Sequence, residues 1–269
     1  MEGKPGLMSR LNNCDILGKC QPHVDDHEFT YDLQPDAINF RTQLFTTDNW
    51  LHTKYDLERS CHVWFTKYFG IFRCVPHKCL KHCYKLCATN RGFDEDRQQI
   101  RQLSLSEVMD INEFQERLSL TAKVGMDNRD YTPSVWGAYW YLGSLNAAHE
   151  LYPAVRAGLD EINPDIVLDV KRACTEFELY LGPSNEWDDM EIPWEETEKV
   201  LDKWIELVPN HTATSQHELI QQTIKLRFLH WAHMHGDMTY KEFIDGDNLE
   251  HGFKEIKRVP IIPSVTYNP

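Results

Sequence analysis

Apolar positions recur every three or four residues over several stretches of the chain, and cluster without that period over two others. The first helical stretch is Ser106 to Leu120, with Val108, Ile111, Phe114 or Gln115, and Leu118 on one face. Ser104 or Ser106 is placed to cap it, and Glu107 falls in the first turn, where the helix dipole favours a carboxylate. The second stretch repeats Leu145, Ala148, Leu151, Val155, Leu159 and Ile162 after a capping Ser144, with Pro153 expected to kink it. Further helices are predicted from Trp194 to Val208 and from about Gln216 to Met234, the latter closed by Gly236. The non-helical runs are Ser134 to Leu142, rich in aromatic residues, and Asp165 to Val170.

Strand, helix and strand within about forty residues predict a right-handed βαβ unit with parallel strands. The expected fold class is therefore α/β, with a core over residues 59–187 followed by a mainly helical region, 188–269, that ends in an irregular, Pro-rich tail. Residues 1–58 show little periodicity and are interrupted by Gly3, Pro5, Gly18, Pro22 and Pro35, which predicts an extended arm with short elements, ordered against the rest of the chain or a partner. His62 to Phe72 is dense in aromatic and β-branched residues and fits either a strand or a buried helix. Asn90 to Gln99 is polar and reads as a loop. There are no internal repeats, heptads or low-complexity tracts.

Composition narrows the function classes. Net charge is −14, which repels nucleic acid and anionic lipid except at a local basic patch; the segment from Arg73 to Arg101, with Lys78, Lys81, Lys85, Arg91 and Arg97, is the one to check. No apolar run approaches the roughly 20 residues of a membrane span, and the first twenty residues lack a signal-peptide core, so a cytoplasmic location is expected. Eight cysteines without an export signal read as metal ligands before disulfides.

Four of those cysteines, Cys74, Cys79, Cys83 and Cys87, fall within fourteen residues, with His77 and His82 interleaved. Zinc takes four thiolate or imidazole ligands, two of them usually from one short clip. The expected ligands are Cys74, Cys79, Cys83 and Cys174, with His77, His82 and Cys87 as alternatives. An iron–sulfur cluster competes, because Cys79-x3-Cys83-x3-Cys87 comes within one residue of the three-cysteine motif of radical enzymes that cleave S-adenosylmethionine. If Tyr84 to Thr89 is a strand, Cys83 and Cys87 stand about 13 Å apart and cannot share one metal. A bland account remains, in which the thiols are small apolar core groups.

Other chemistry is thinner. His230, His233 and His235, with Asp237, suit a second metal or acid–base site, or simply the negative end of a helix dipole. Asp169 and Lys171 resemble the acidic-x-Lys element of metal-dependent nucleases, and Glu176 and Glu178 could be paired carboxylates. No Gly-rich phosphate loop, nucleophile elbow or dinucleotide fingerprint is present. The expectation is a zinc-stabilised, acidic binding or assembly protein, meeting a protein partner through its acidic surface, its N-terminal arm or the loop Glu186-Trp187-Asp188-Asp189. The alternative is a metal-dependent enzyme, of iron–sulfur radical type or performing metal-assisted hydrolysis, with its site at the carboxyl ends of the parallel strands.

Overall fold

The computed structural model describes residues 49–54, 77–127, 129, 132, 134–188, 216, 218–244 and 265–269. In chain order the elements are β1 (Trp50–Thr53), α1 (His77–His82), β2 (Tyr84–Ala88), β3 (Asn90–Asp94), β4 (Gln99–Gln102), α2 (Leu105–Leu118), β5 (Ala122–Met126), β6 (Trp136–Leu142), α3 (Leu145–Ile162), β7 (Leu168–Arg172), α4 (Thr175–Leu181) and α5 (Glu218–Met234). Short 3-10 turns cover Ser184–Glu186 and Met238–Phe243. The segments 62–72 and 194–208, for which elements are predicted above, lie outside the described residues, as does most of the arm. Trp50–Thr53, within that arm, is the edge strand of the sheet.

Five strands form one sheet in the order β1-β5-β6-β2-β7, and every neighbouring pair is antiparallel. The expected parallel βαβ unit is overturned, and with it the α/β class. β6 and β7 flank β2, which runs opposite to both, so they share no hydrogen bonds. The chain follows a β-α-β-β-α-β path from β2 to β7 in which each helical crossover skips one strand, with β1 added beside β5. A strand–helix–strand pattern reports that a crossover exists but not whether another strand fills the gap. Here the filler, β2, lay inside the cysteine segment. The stretch after Asn90 also differs from expectation: β3 and β4 pair as a hairpin, with Phe93 opposite Ile100 and a positive φ of 80° at Gly92.

The helices α2 and α3 cover one face of the sheet. The register rows Leu86–Trp140–Ala122 and Ala88–Ala138–Val124 are fully or nearly buried there against Val108, Ile111 and Phe114 of α2 and Ala148, Val155 and Leu159 of α3. α2 starts at Ser104, whose hydroxyl accepts from the Glu107 amide while the Glu107 carboxylate accepts from the Ser104 amide. α3 starts at Ser144, as the sequence suggests, and continues through Pro153 to Ile162. α5 adds Ile224, Phe228 and Ala232 to the same core, with Phe228 and Trp231 both edge-on to Trp136.

Each outer edge of the sheet is closed by a side-chain amide. Gln216 spans β1, accepting from the His52 amide at 3.3 Å and donating to the Trp50 carbonyl at 3.0 Å. On β7, the Tyr267 amide donates to the Val170 carbonyl at 2.8 Å and the Asn268 side chain accepts from the Val170 amide at 2.7 Å. The last five residues, although irregular as expected, are therefore an integral part of the sheet's margin.

The crossing of α2 and α3 depends on a missing side chain. A Cβ on Gly158 would lie 2.2 Å from the Phe114 ring. Alanine in place of a helical glycine normally stabilises by about 1 kcal/mol. Here Gly158→Ala is expected to destabilise by about 1–3 kcal/mol in chemical denaturation, and Phe114→Leu in the same chain should recover much of that loss.

Candidate functional site on the second face of the sheet

Strand alternation sends the intervening residues to the face opposite the long helices. There Lys85 lies between Tyr141 and Lys171, and Cys87 between Tyr139 and Asp169. Tyr139 in turn pairs with Lys123, and Lys123 with His52. In an antiparallel sheet with one face in the core, the other ordinarily meets water with exposed polar groups. The centre of this face is closed instead, with Lys85 6%, Tyr139 7% and Cys87 2% exposed. Gly137 makes room for the Tyr139 ring, since a Cβ there would sit 2.8 Å from the phenol oxygen. The Lys85 ammonium stands 5.1 Å from the centre of that ring, and Lys123 stands 4.0 Å from the centre of Trp50.

At the end of β5 a second set of charges is tightly paired. Arg129 donates through Nε to Asp127 Oδ1 at 2.7 Å, through a terminal nitrogen to the other Asp127 oxygen, and through the remaining nitrogen to Glu176 at the start of α4. The Tyr139 hydroxyl reaches the same Asp127 carboxylate at 3.5 Å. Burial raises the Asp127 pKa, but the bonds from Arg129 outweigh it and hold the carboxyl below its ordinary value.

The remaining titratable groups of the face are displaced from neutrality as well. Burial, opposed by Lys85 and Lys171, pushes the Cys87 thiol up to about 11. Burial and the Asp127 charge hold the Tyr139 phenol above its usual value. Burial works against the Lys85 ammonium, yet Cys174, Cys87 and Tyr139 reverse that effect and its pKa is raised. Near pH 7 the face thus holds an un-ionised thiol and phenol beside Lys85.

Of the residues singled out from the sequence, Cys87 and Cys174 come together beside Lys85, and the others do not join them. Cys79 is buried on α1, Cys83 follows that helix, and Cys174 precedes α4, while Cys87 faces the second side of β2. Cys74 lies outside the described residues. Because Tyr84–Ala88 is extended, Cys83 and Cys87 are separated by about 13 Å of strand. Among the described residues no three His, Cys, Asp or Glu side chains gather as metal ligands, and this covers Cys79, Cys83 and Cys174, and also His230, His233 and His235. His77 and His82 sit on α1, where Lys81 donates to the Asp188 carbonyl at 2.8 Å.

Other candidates have structural partners. The Glu178 carboxylate accepts from the Ser184 and Val265 amides, tying the tail to α4. Asp169 accepts from the Asn268 side chain at 3.2 Å. Asp237 accepts from the Leu105 amide at 2.6 Å and Thr239 from the Ser106 amide, so the two complete the N-terminal cap of α2. His230 is exposed, His233 is buried beside Tyr240, and His235 stacks on Trp231. Trp187, expected in an acidic partner loop, is fully buried, and its indole N–H donates to the Gly182 carbonyl. Asp188 beside it pairs with the buried Arg172 at 2.9 Å.

Sequence reading missed Lys123, Asp127, Arg129 and Tyr139 as site residues, and took Lys85 only as part of a basic segment. The available signal was alternation: Tyr84, Leu86 and Ala88 share one parity in β2, and Lys85 and Cys87 share the other. No helix among the described residues is long and apolar enough to cross a membrane. The chain matches no family model, no curated protein and no solved structure.

Arg129 gives a direct check of the paired set. Arg129→Met strands two carboxylates, one of them buried, and is expected to cost about 1–3 kcal/mol at pH 7, discounted because the guanidinium is about a third exposed. A carboxyl with a lowered folded pKa stabilises above its unfolded value near 4 and loses that contribution as pH falls through the folded value. The gap between wild type and variant in urea denaturation should therefore narrow below about pH 4.

Proposed function

We propose that the chain is a small-molecule binding protein whose ligand site is the second face of the sheet, around Lys85, Cys87, Tyr139 and Lys123. The observation that carries this reading is the chemistry of a closed surface. Three central positions are more than nine-tenths buried, and they hold an ammonium, a thiol and a phenol rather than the apolar groups that a purely structural layer would favour. Polar groups retained at such a cost commonly serve recognition.

Binding is favoured over catalysis by protonation state. A general acid or base works best with a pKa near the operating pH, and a cysteine nucleophile requires its thiolate. Here the Cys87 thiol is pushed up to about 11, Tyr139 is raised, and Asp127 is held by Arg129. Each group keeps one form throughout the neutral range. That suits a fixed pattern of donors and charge.

Native mass spectrometry of the purified chain, mixed with a small-molecule extract of its host cells, tests the reading. One or more adducts of single stoichiometry are expected with wild type. They should weaken at least tenfold in Lys123→Glu, which reverses the charge over Trp50 and Tyr139, and persist in Lys241→Glu on the helical side. The reading fails if wild type takes up nothing, or if it converts an extract component into a product.

A further inference from the structure

We infer that the outer margin of β7 is a recognition site for an extended peptide carrying Tyr-Asn, and that residues 265–269 occupy it as a tethered ligand. The partner it fits is a protein that presents such a segment in extended form.

The surface is supplied by Tyr84 of β2, His149 of α3, Asp169 and Val170 of β7, Glu178 of α4 and Ser184 of the turn that follows. These positions are fixed by the fold rather than by the tail. β7 is paired with β2 along its inner side, Tyr84 packs in the core, and the Ser184 carbonyl is held by Arg172. A surface built in this way persists when its occupant leaves.

Main-chain bonds give a docked extended segment affinity, and its side chains give it specificity. Both kinds of contact are present here. The Tyr267 amide donates to the Val170 carbonyl at 2.8 Å, and the Tyr267 carbonyl accepts from His149 Nε2 at 2.7 Å. The Val265 amide donates to the Glu178 carboxylate at 3.2 Å. The Tyr267 ring stands edge-on to Tyr84 with centres 6.1 Å apart, and its hydroxyl shares a hydrogen bond of 2.8 Å with the fully buried Ser184. Phenylalanine would forfeit that bond, which matters most at a buried hydroxyl. Asn268 is read through both ends of its amide, accepting from the Val170 amide at 2.7 Å and donating to Asp169 at 3.2 Å. Aspartate has no donor for that second bond and would repel Asp169. Thr266 and Pro269 are exposed, so the discriminating positions are Tyr267 and Asn268. Because the segment is covalently joined to the chain, its effective concentration at the site is on the order of millimolar. Contacts of modest strength keep it docked, and the same sequence on another protein competes for the place.

Fluorescence anisotropy of a labelled, C-terminally amidated peptide of residues 265–269 tests the inference on the full chain, with folding followed by circular dichroism. The double variant Tyr267→Ala/Asn268→Ala, which releases the tail, should bind the peptide saturably with a Kd of about 1 mM or below. Wild type should bind it at least tenfold more weakly, because its own tail competes. In the released chain, peptides with phenylalanine for the tyrosine or aspartate for the asparagine should each bind at least fivefold more weakly. Adding Ser184→Ala should weaken the original peptide and leave the phenylalanine peptide unaffected, an outcome that a general loss of structure does not produce. The inference is overturned if the released chain binds nothing, or if it does not prefer the original peptide to the altered ones. Equal binding to wild type overturns it too, since the peptide would then sit elsewhere. It also fails if both the double variant and the milder Asn268→Ala do not fold, because the segment is then part of the fold and not a ligand.

Discussion

β2 is hydrogen-bonded along both sides and covered on both faces, and the rest of the described structure is arranged around that constraint. Its five residues must satisfy two incompatible solvents at once. Tyr84, Leu86 and Ala88 meet the helical core, and Lys85 and Cys87 meet a closed polar layer. Because β2 separates β6 from β7, it also sets the topology. The helix that joins those two strands has to pass over it, which places α3 on the same side of the sheet as α2.

That central position explains what could be read from the sequence and what could not. Local signals were reliable where chemistry is local. Ser104 with Glu107 and Ser144 mark helix starts because a hydroxyl finds an amide two or three residues away. Gly236, at a φ of 76°, marks an end for an equally local reason. Strand adjacency is not local. Nothing in residues 134–170 reports that a strand from residues 84–88 will come between their two strands, so the parallel pairing was inferred and is wrong. The density of cysteines worked against recognising β2, because spacing suggested a metal clip where alternation indicated a strand. Trp187 was misplaced for a related reason: an acidic neighbourhood suggests solvent, but Asp188 answers Arg172 and the indole is drawn into the interior.

Charge is distributed unequally in kind as well as in amount. Arg129 and Arg172 each serve several acceptors in fixed geometry, Arg172 reaching the Leu80 and Ser184 carbonyls as well as Asp188. Planar guanidinium groups suit such forked bonding. The lysines of the second face, by contrast, are compact point charges over or beside aromatic rings. The fold thus uses arginine to hold segments together and sets lysine against the aromatic rings of the second face.

The closing of β1 by Gln216 and of β7 by Asn268 restricts how this chain can meet others. A bare strand edge is a template on which any extended peptide, including a second copy of the same protein, can lay another strand. Here Gln216 meets the outward backbone groups of β1 with one donor and one acceptor, and on β7 the Asn268 side chain and the Tyr267 amide do so together, imitating a neighbouring strand without being one. The sheet is finite by composition. Growth by strand addition, whether productive assembly or fibril, is blocked at both margins for as long as those two short segments stay docked.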